Sequence, residues 1–285
     1  MSTDTSVIFL GERESARPRV REAARRPSLS RFALTTIALL TFAFLYVPIL
    51  VLIAFSFNSA RTGAAWQGFT LQWYARLFNN PRILDAALNS LIVAVVATIG
   101  AVVLGTLMAM AMERYRFRFQ AFWDSLLYMP VIIPEIVMGI SLLLFFASIR
   151  LERGLLTLII AHIAFCMPFV YLTMRARLAD FDRSLEEAAQ DLGADEWTTF
   201  RRITLPLLMP GIISSALLAF TLSLDDFVIS FFVTGVGSQT LPVYIWGQIR
   251  RGITPEINAV STLMLILSFV LVTLSHAMQQ RTGAR

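Results

Sequence analysis

Three carboxylates in this 285-residue chain sit where carboxylates are costly. Glu135, Asp225 and Asp226 fall well inside long apolar blocks; the rest of the 19 acidic residues do not. On insertion scales an acid at the bilayer centre costs roughly 2.5–3.5 kcal/mol. Such groups therefore face a cavity or a partner and often mark the route of a solute. Carboxylates spread along a pore can replace water around separate ammonium groups, and nearby aromatic faces add about 0.5–2 kcal/mol of cation–π attraction. Tyr128, Tyr244 and Trp246 are the candidate aromatics. The chemistry this set suits is passage of a cation. Each member also has a plainer reading. Asp225 and Asp226 could end a helix or meet another subunit, Glu135 could pair with an arginine or a backbone group, and the aromatics could belong to an interfacial belt. His162 reads as a packing histidine rather than a proton relay, and Cys166 as a small apolar filler. Two histidines and one cysteine leave no metal-ligand spacing and no internal disulfide.

The elements that must hold these residues follow from the apolar blocks. Hydrophobic residues make up 56% of the chain and charged residues 15%, against roughly 25% charged in soluble domains. A bilayer span needs about 20 mostly apolar residues. Such runs occur near 33–56, 87–112, 122–148, 154–174, 207–232 and 258–279. The expectation is an all-α polytopic membrane protein with six transmembrane helices. Residues 1–32 form an Arg-rich tail, read as solvated and disordered, and 33–285 the six-span domain. The first apolar run is too long for a cleaved signal and reads as an uncleaved anchor. At 1.5 Å per residue, Glu135 lies about 20 Å into a straight third span and Asp225 about 27 Å into the fifth. Pro130 and Pro134 should interrupt backbone pairing beside Glu135, which is tolerated where the chain lines a cavity.

Charge sets the orientation. All 24 basic residues are arginine. The tail, the second and fourth loops and the C-terminus carry 17 of them, and the opposite face carries seven. The richer face is cytoplasmic by the positive-inside rule, so both termini are expected inside. The net charge of +5 then reflects orientation and not nucleic-acid binding.

The long fourth loop, 175–206, is patterned as two short helices. Ser184 and Glu187 fit a capping box; Leu185, Ala188, Ala189 and Leu192 make an apolar stripe at helical spacing. Gly193 suits a left-handed turn after the first helix. Asp195 can cap the second, Trp197, Phe200 and Arg201 share a face, and Pro206 marks the turn into the fifth span. Pattern alone also allows an amphipathic connector lying on the membrane surface. The residues Glu187-Ala188-Ala189, then Gly193, then Ile203, Leu205 and Pro206 resemble the EAA signature of binding-protein-dependent ABC importer permeases. The resemblance implies a type I ABC importer permease fold, with a core domain over about 86–275. It also implies that residues 184–200 form coupling helices seated in a cleft of a separate ATPase.

A second resemblance runs through Thr221–Phe227, Leu241-Pro242 and Gly252–Ala259, which are similar to the C-type permease of polyamine importers, with Ala161–Ala194 nearest the putrescine-type branch. It implies a multi-pass bacterial inner-membrane subunit importing putrescine or spermidine by alternating access. The implied partners are a second permease, a homodimeric ATP-binding subunit and a periplasmic substrate-binding protein. The chain has no phosphate-binding Gly-rich loop followed by lysine; ATP and magnesium therefore belong to the partner ATPase, and no cofactor or catalytic residue is expected here. One departure is Glu135, where the family pattern leads to aspartate: the charge is kept on a side chain one methylene longer, which leaves the choice of polyamine open. Rival readings are an importer for another solute, a proton-coupled secondary transporter and a membrane-embedded enzyme; the last lacks any nucleophile–base or metal constellation.

Overall fold

The computed structural model describes residues 29–60, 65–252 and 254–283. The Arg-rich tail expected over 1–32 falls outside the described residues as far as residue 28, as do Arg61, Ile253 and Arg285. Regular structure among the described residues is helical apart from one isolated antiparallel pairing, Asn58 with Phe69. The chain falls into two compact units, Met1–Leu50 and Val51–Arg285.

In the first unit the described part is helical, the N-terminal portion of α1 (Leu29–Phe55). Every side chain from Phe32 to Leu50 is exposed. A helix this long, apolar on all sides and exposed along this stretch, has lipid as its natural solvent.

The second unit continues with α2 (Gln72–Leu77), α3 (Pro81–Arg114), α4 (Gln120–Ile132) and α5 (Glu135–Ser148). Then come α6 (Leu155–Ala179), α7 (Ser184–Asp191), α8 (Glu196–Thr199), a π-turn (Phe200–Thr204) and α9 (Leu205–Asp225). The chain closes with α10 (Val228–Val233), α11 (Leu241–Ile249) and α12 (Pro255–Gly283). Its core is α6 enclosed by α3 and α9. Close approach is allowed by small residues on α3 at every fourth position, Ala97, Ala101, Gly105 and Ala109, all buried. Without a hydrophobic drive between helices in lipid, such small-residue seams let dispersion contacts accumulate. A Cβ on Gly105 would lie 2.9 Å from Val170 Cβ of α6.

Among the described residues, five helices are long and apolar enough to span a bilayer, and a sixth span is available if α4 and α5 count as one. The expected third span, 122–148, is thus not a straight rod. It breaks between Ile132 and Glu135 and bends by 109°. Pro134 supplies no backbone N–H and biases Ile133 to extended backbone (ψ 133°). The depth of about 20 Å reckoned for Glu135 along an unbroken helix therefore does not apply. The expected fifth span, 207–232, is also interrupted: α9 ends at Asp225 and α10 begins at Val228.

Pro206 does not turn the chain. Glu196–Asp225 runs as one helical rod with the π-turn inside it. Leu205 N–H bonds to Phe200 O, five residues back. One wider turn gives room for the Pro206 ring, which would otherwise meet the carbonyl of Arg202.

Candidate functional site

The hairpin between α6 and α9 is held from behind and open in front. Arg183 Nη2 donates to Glu113 O (2.8 Å) at the end of α3. Glu186 pairs with Arg114 and accepts from the Thr204 hydroxyl. The expected Ser184–Glu187 capping box does not form; α7 starts at Ser184 itself, whose N–H bonds to Asp182 Oδ1 (2.9 Å). The Ser184 hydrogen bonds hold the Asp182 carboxyl below the usual carboxylate range, so the cap stays ionised at neutral pH. α7 ends in a Schellman motif: Gly193 N bonds to Gln190 O (2.8 Å) and Ala194 N to Ala189 O (3.0 Å). Gly193 has φ +88° with nothing within 4 Å of a Cβ position, so backbone conformation and not crowding requires glycine there. Asp195 holds the N-cap position of α8 in extended conformation.

The outward side of the hairpin is apolar and uncovered by this chain. Leu185 is 46% exposed, Leu192 91% and Trp197 65%, with Trp197 stacked on Phe200 at 5.7 Å. Glu187 and Ala188 are exposed and Ala189 half-buried beside them, while Ile203, Leu205 and Pro206 belong to the rod that carries the hairpin. The motif glutamate, Glu187, therefore faces outward, and its neighbour Glu186 is the anchor. Nothing in the local sequence marks Glu186 as the anchor: its partner Arg114 is 72 residues away, and no local pattern reports that pairing.

The intramembrane carboxylates lie at the two helix breaks. Glu135 is in the first turn of α5, exposed, immediately after the elbow. Asp225 closes α9 and Asp226 follows it. The broken spans adjoin, because α5 packs on α10; a Cβ on Gly139 would come within 2.7 Å of the Phe232 ring. Asp226 is buried and takes a helix-end role, accepting from Ile229 N (3.2 Å) and Ser230 N (2.8 Å) to cap α10. His162 Nε2 approaches its carboxylate at 3.4 Å. The ring is fully buried, with Nδ1 2.7 Å from Ser223 Oγ and Nε2 3.0 Å from Ser230 Oγ. This satisfied network ties α6 to α9 and α10, as expected of a packing histidine.

Asp225 is the open member. It accepts one bond, from Ser268 Oγ (2.8 Å) of α12. With Phe227, Trp246 and Ser268 it lines a cavity of about 360 Å³ between α9, α11 and α12. Trp246 packs on Phe227 at 5.2 Å, and Arg250 lies 5.4 Å over its ring; a tethered cation already occupies that aromatic face. The other two aromatics lie apart from this cavity. Tyr244 is buried against Trp73, Ile83 and Val260. Tyr128 receives a 3.4 Å bond from Arg175, which also pairs with Asp124. The Tyr171 hydroxyl donates to the same Asp124 at 2.5 Å. That cluster clamps α4 to α6 and was not singled out from the sequence.

A family model, the binding-protein-dependent transport system inner membrane component, matches residues 101–285. The spermidine/putrescine transport system permease protein PotC of Escherichia coli (strain K12) is 47% identical over 235 residues, 82% of this chain and 89% of that protein. The putrescine transport system permease protein PotI of the same organism is 43% identical over 236 residues, 80% of this chain and 84% of its own. A bacterial alginate ABC transporter solved in complex with an alginate pentasaccharide-bound periplasmic protein has the same fold. It matches with a TM-score of 0.69 at 19% identity, over 90% of this chain and 95% of that one. The chain thus belongs to the binding-protein-dependent transport system inner membrane components: it is a non-catalytic, multi-pass permease subunit of a bacterial inner-membrane ABC importer, related to the spermidine/putrescine permeases.

Proposed function

We propose that this permease carries a polyamine, putrescine or spermidine, from periplasm to cytoplasm, driven by a separate homodimeric ATPase that seats residues 184–200. The carrying observation is the hairpin, rigidly backed by Glu186, Arg114 and Thr204 and presenting Leu185, Leu192 and Trp197 bare. A lever can pass on a rigid-body movement only if its base does not slip, and its bare apolar face needs a partner. With the hairpin end cytoplasmic, both termini are inside. A second permease completes the pathway and a periplasmic binding protein delivers the cargo. When ATP binds, the ATPase subunits close on the hairpins and open the pathway outward; hydrolysis restores the inward-facing state. ATP and magnesium stay with that partner.

Cation cargo is supported by the relatives' names and by the cavity at Asp225. One carboxylate, two hydroxyls and two aromatic rings line it, with the Trp246 face already taken by Arg250; the carboxylate and hydroxyls can replace water around an ammonium group. Glu135 at the neighbouring elbow offers a second carboxylate with no partner of its own among the described residues. Asp226 contributes by holding the α9–α10 break that presents Asp225.

Uptake of labelled putrescine and spermidine, with sulfate as control, in a strain lacking the chain tests the reading. Re-expression should restore polyamine uptake and not sulfate, and Asp225→Asn should raise KM about 10-fold, the loss of one charge-assisted contact. Polyamine uptake equal with and without the chain would reject the cargo assignment. Uptake undiminished without the ATPase would reject the coupling.

A further inference from the structure

Away from the hairpin, at the opposite end of α3, three arginines distant in sequence converge on one cavity of about 640 Å³. Arg82 comes from the first turn of α3, Arg153 from the α5–α6 connection and Arg251 from just past α11. Asp85 is the one carboxylate in the lining. The guanidiniums of Arg82 and Arg153 have no hydrogen-bond or ion-pair partner among the described residues, and Arg251 makes a single 3.3 Å bond to Gly247 O. Three cations brought together with so little compensation repel one another, a cost that an anionic occupant would offset.

The frame beneath them is fixed. Asn89 Nδ2 donates to both Gly237 O and Gln239 O (3.1 Å each), and Leu241 N–H bonds to Ser90 Oγ (2.7 Å). Ser238 Oγ accepts from Gly235 N (2.9 Å) and closes the turn. Gly235 lies so close to the α5–α6 connection that a Cβ there would sit 1.9 Å from Arg153 O, so the loop and the Arg153 backbone are fitted to each other. At the apex stands Val236, 106% exposed and the most exposed large apolar side chain described. A pinned loop with an apolar tip beside preplaced guanidiniums is a prepared docking surface.

We infer that this cavity and Val236 form the seat of the periplasmic binding protein. Carboxylates on its docking face enter between Arg82, Arg153 and Arg251, and an apolar socket receives Val236. The inference rests on the importer reading above and adds to it the surface that receives the delivery partner. The charge of the cavity argues for a partner and against cargo: an ammonium-bearing solute would be repelled here, whereas planar guanidiniums grip carboxylates in bidentate fashion. Steering by such a patch speeds encounter and weakens with salt.

The test uses the whole importer (this chain, its second permease and the ATPase) in phosphatidylcholine nanodiscs, titrated with its purified binding protein at 50 and 300 mM salt. The wild-type Kd should rise with salt. Arg82→Glu/Arg251→Glu should raise Kd about 10-fold or more at low salt, flatten the salt dependence and abolish stimulation of ATP hydrolysis while basal hydrolysis persists. Val236→Asp, at a fully exposed position that folding does not use, should weaken binding about 5-fold and serves if the double variant fails to assemble. Wild-type binding that neither variant alters would overturn the seat. So would the same indifference accompanied by competition from added phosphatidylglycerol, which would assign the cavity to a lipid headgroup. A wild-type complex that neither binds the protein nor responds to it would instead bring down the importer reading and the seat together.

Discussion

A carboxylate survives inside a membrane-spanning bundle only where hydrogen bonds, a counter-charge or solvent replace its lost hydration. Asp226 has the first, with two backbone N–H groups and the His162 imidazole around it. Asp225, one residue earlier, has a single hydroxyl and a cavity. The two neighbours should therefore respond differently to truncation. Asp226→Ala leaves the buried N–H groups of Ile229 and Ser230 without their acceptor and strips one contact from the His162 network, a loss of about 2–4 kcal/mol. Thermal unfolding in detergent should show it as a clear fall in Tm and yield. Asp225→Ala forfeits one partly exposed hydrogen bond, under about 1 kcal/mol, so Tm should barely move while polyamine uptake falls. Equal destabilisation by both substitutions would contradict this division of roles.

At the scale of elements, the hairpin owes its stiffness to a few local devices. Asp182 caps the entry to α7, the Schellman motif at Gly193 closes it, and the π-turn lets the second arm continue through Pro206 without a break. Because no atom lies within 4 Å of a Cβ on Gly193, size alone is harmless there and the cost is the left-handed backbone. Gly193→Val should cost about 1–2 kcal/mol locally and uncouple ATP hydrolysis from transport, with membrane insertion intact. Gly193→Asn, which tolerates that conformation, should keep most of the coupled activity. If both variants transport at the wild-type rate in reconstituted vesicles, the hairpin is not the lever.

For the whole molecule the decisive feature is the separation of two ends along α3. The hairpin anchors at Glu113 and Arg114, and the arginine cavity gathers at Arg82, Asp85 and Asn89. Cys166 is fully buried between α6 and α9, its thiol reaching Ala219 O, so the native chain should be silent to a membrane-impermeant maleimide. Leu192→Cys should then label only from the cytoplasmic side, in inverted vesicles, and Val236→Cys only from the periplasmic side, in spheroplasts. Labelling of both from one side would overturn the orientation drawn from arginine counts.

What the sequence determined by itself was whatever depends on residues close together in the chain. Run length gave the apolar helices, because a bilayer asks for about 20 apolar residues in a row. Local periodicity with Gly193 gave the hairpin, because stripe and turn are properties of a dozen consecutive residues. The carboxylates Glu135, Asp225 and Asp226 stood out because charge is rare in such runs. Only the tertiary structure decided their different duties, since those depend on His162, Ser268 and Trp246 from other helices. It also decided the 109° elbow at Pro134, the Glu186–Arg114 anchor across 72 residues and the meeting of Arg82, Arg153 and Arg251. Long-range pairing leaves no periodic trace in one chain, so it is legible only once the helices are packed.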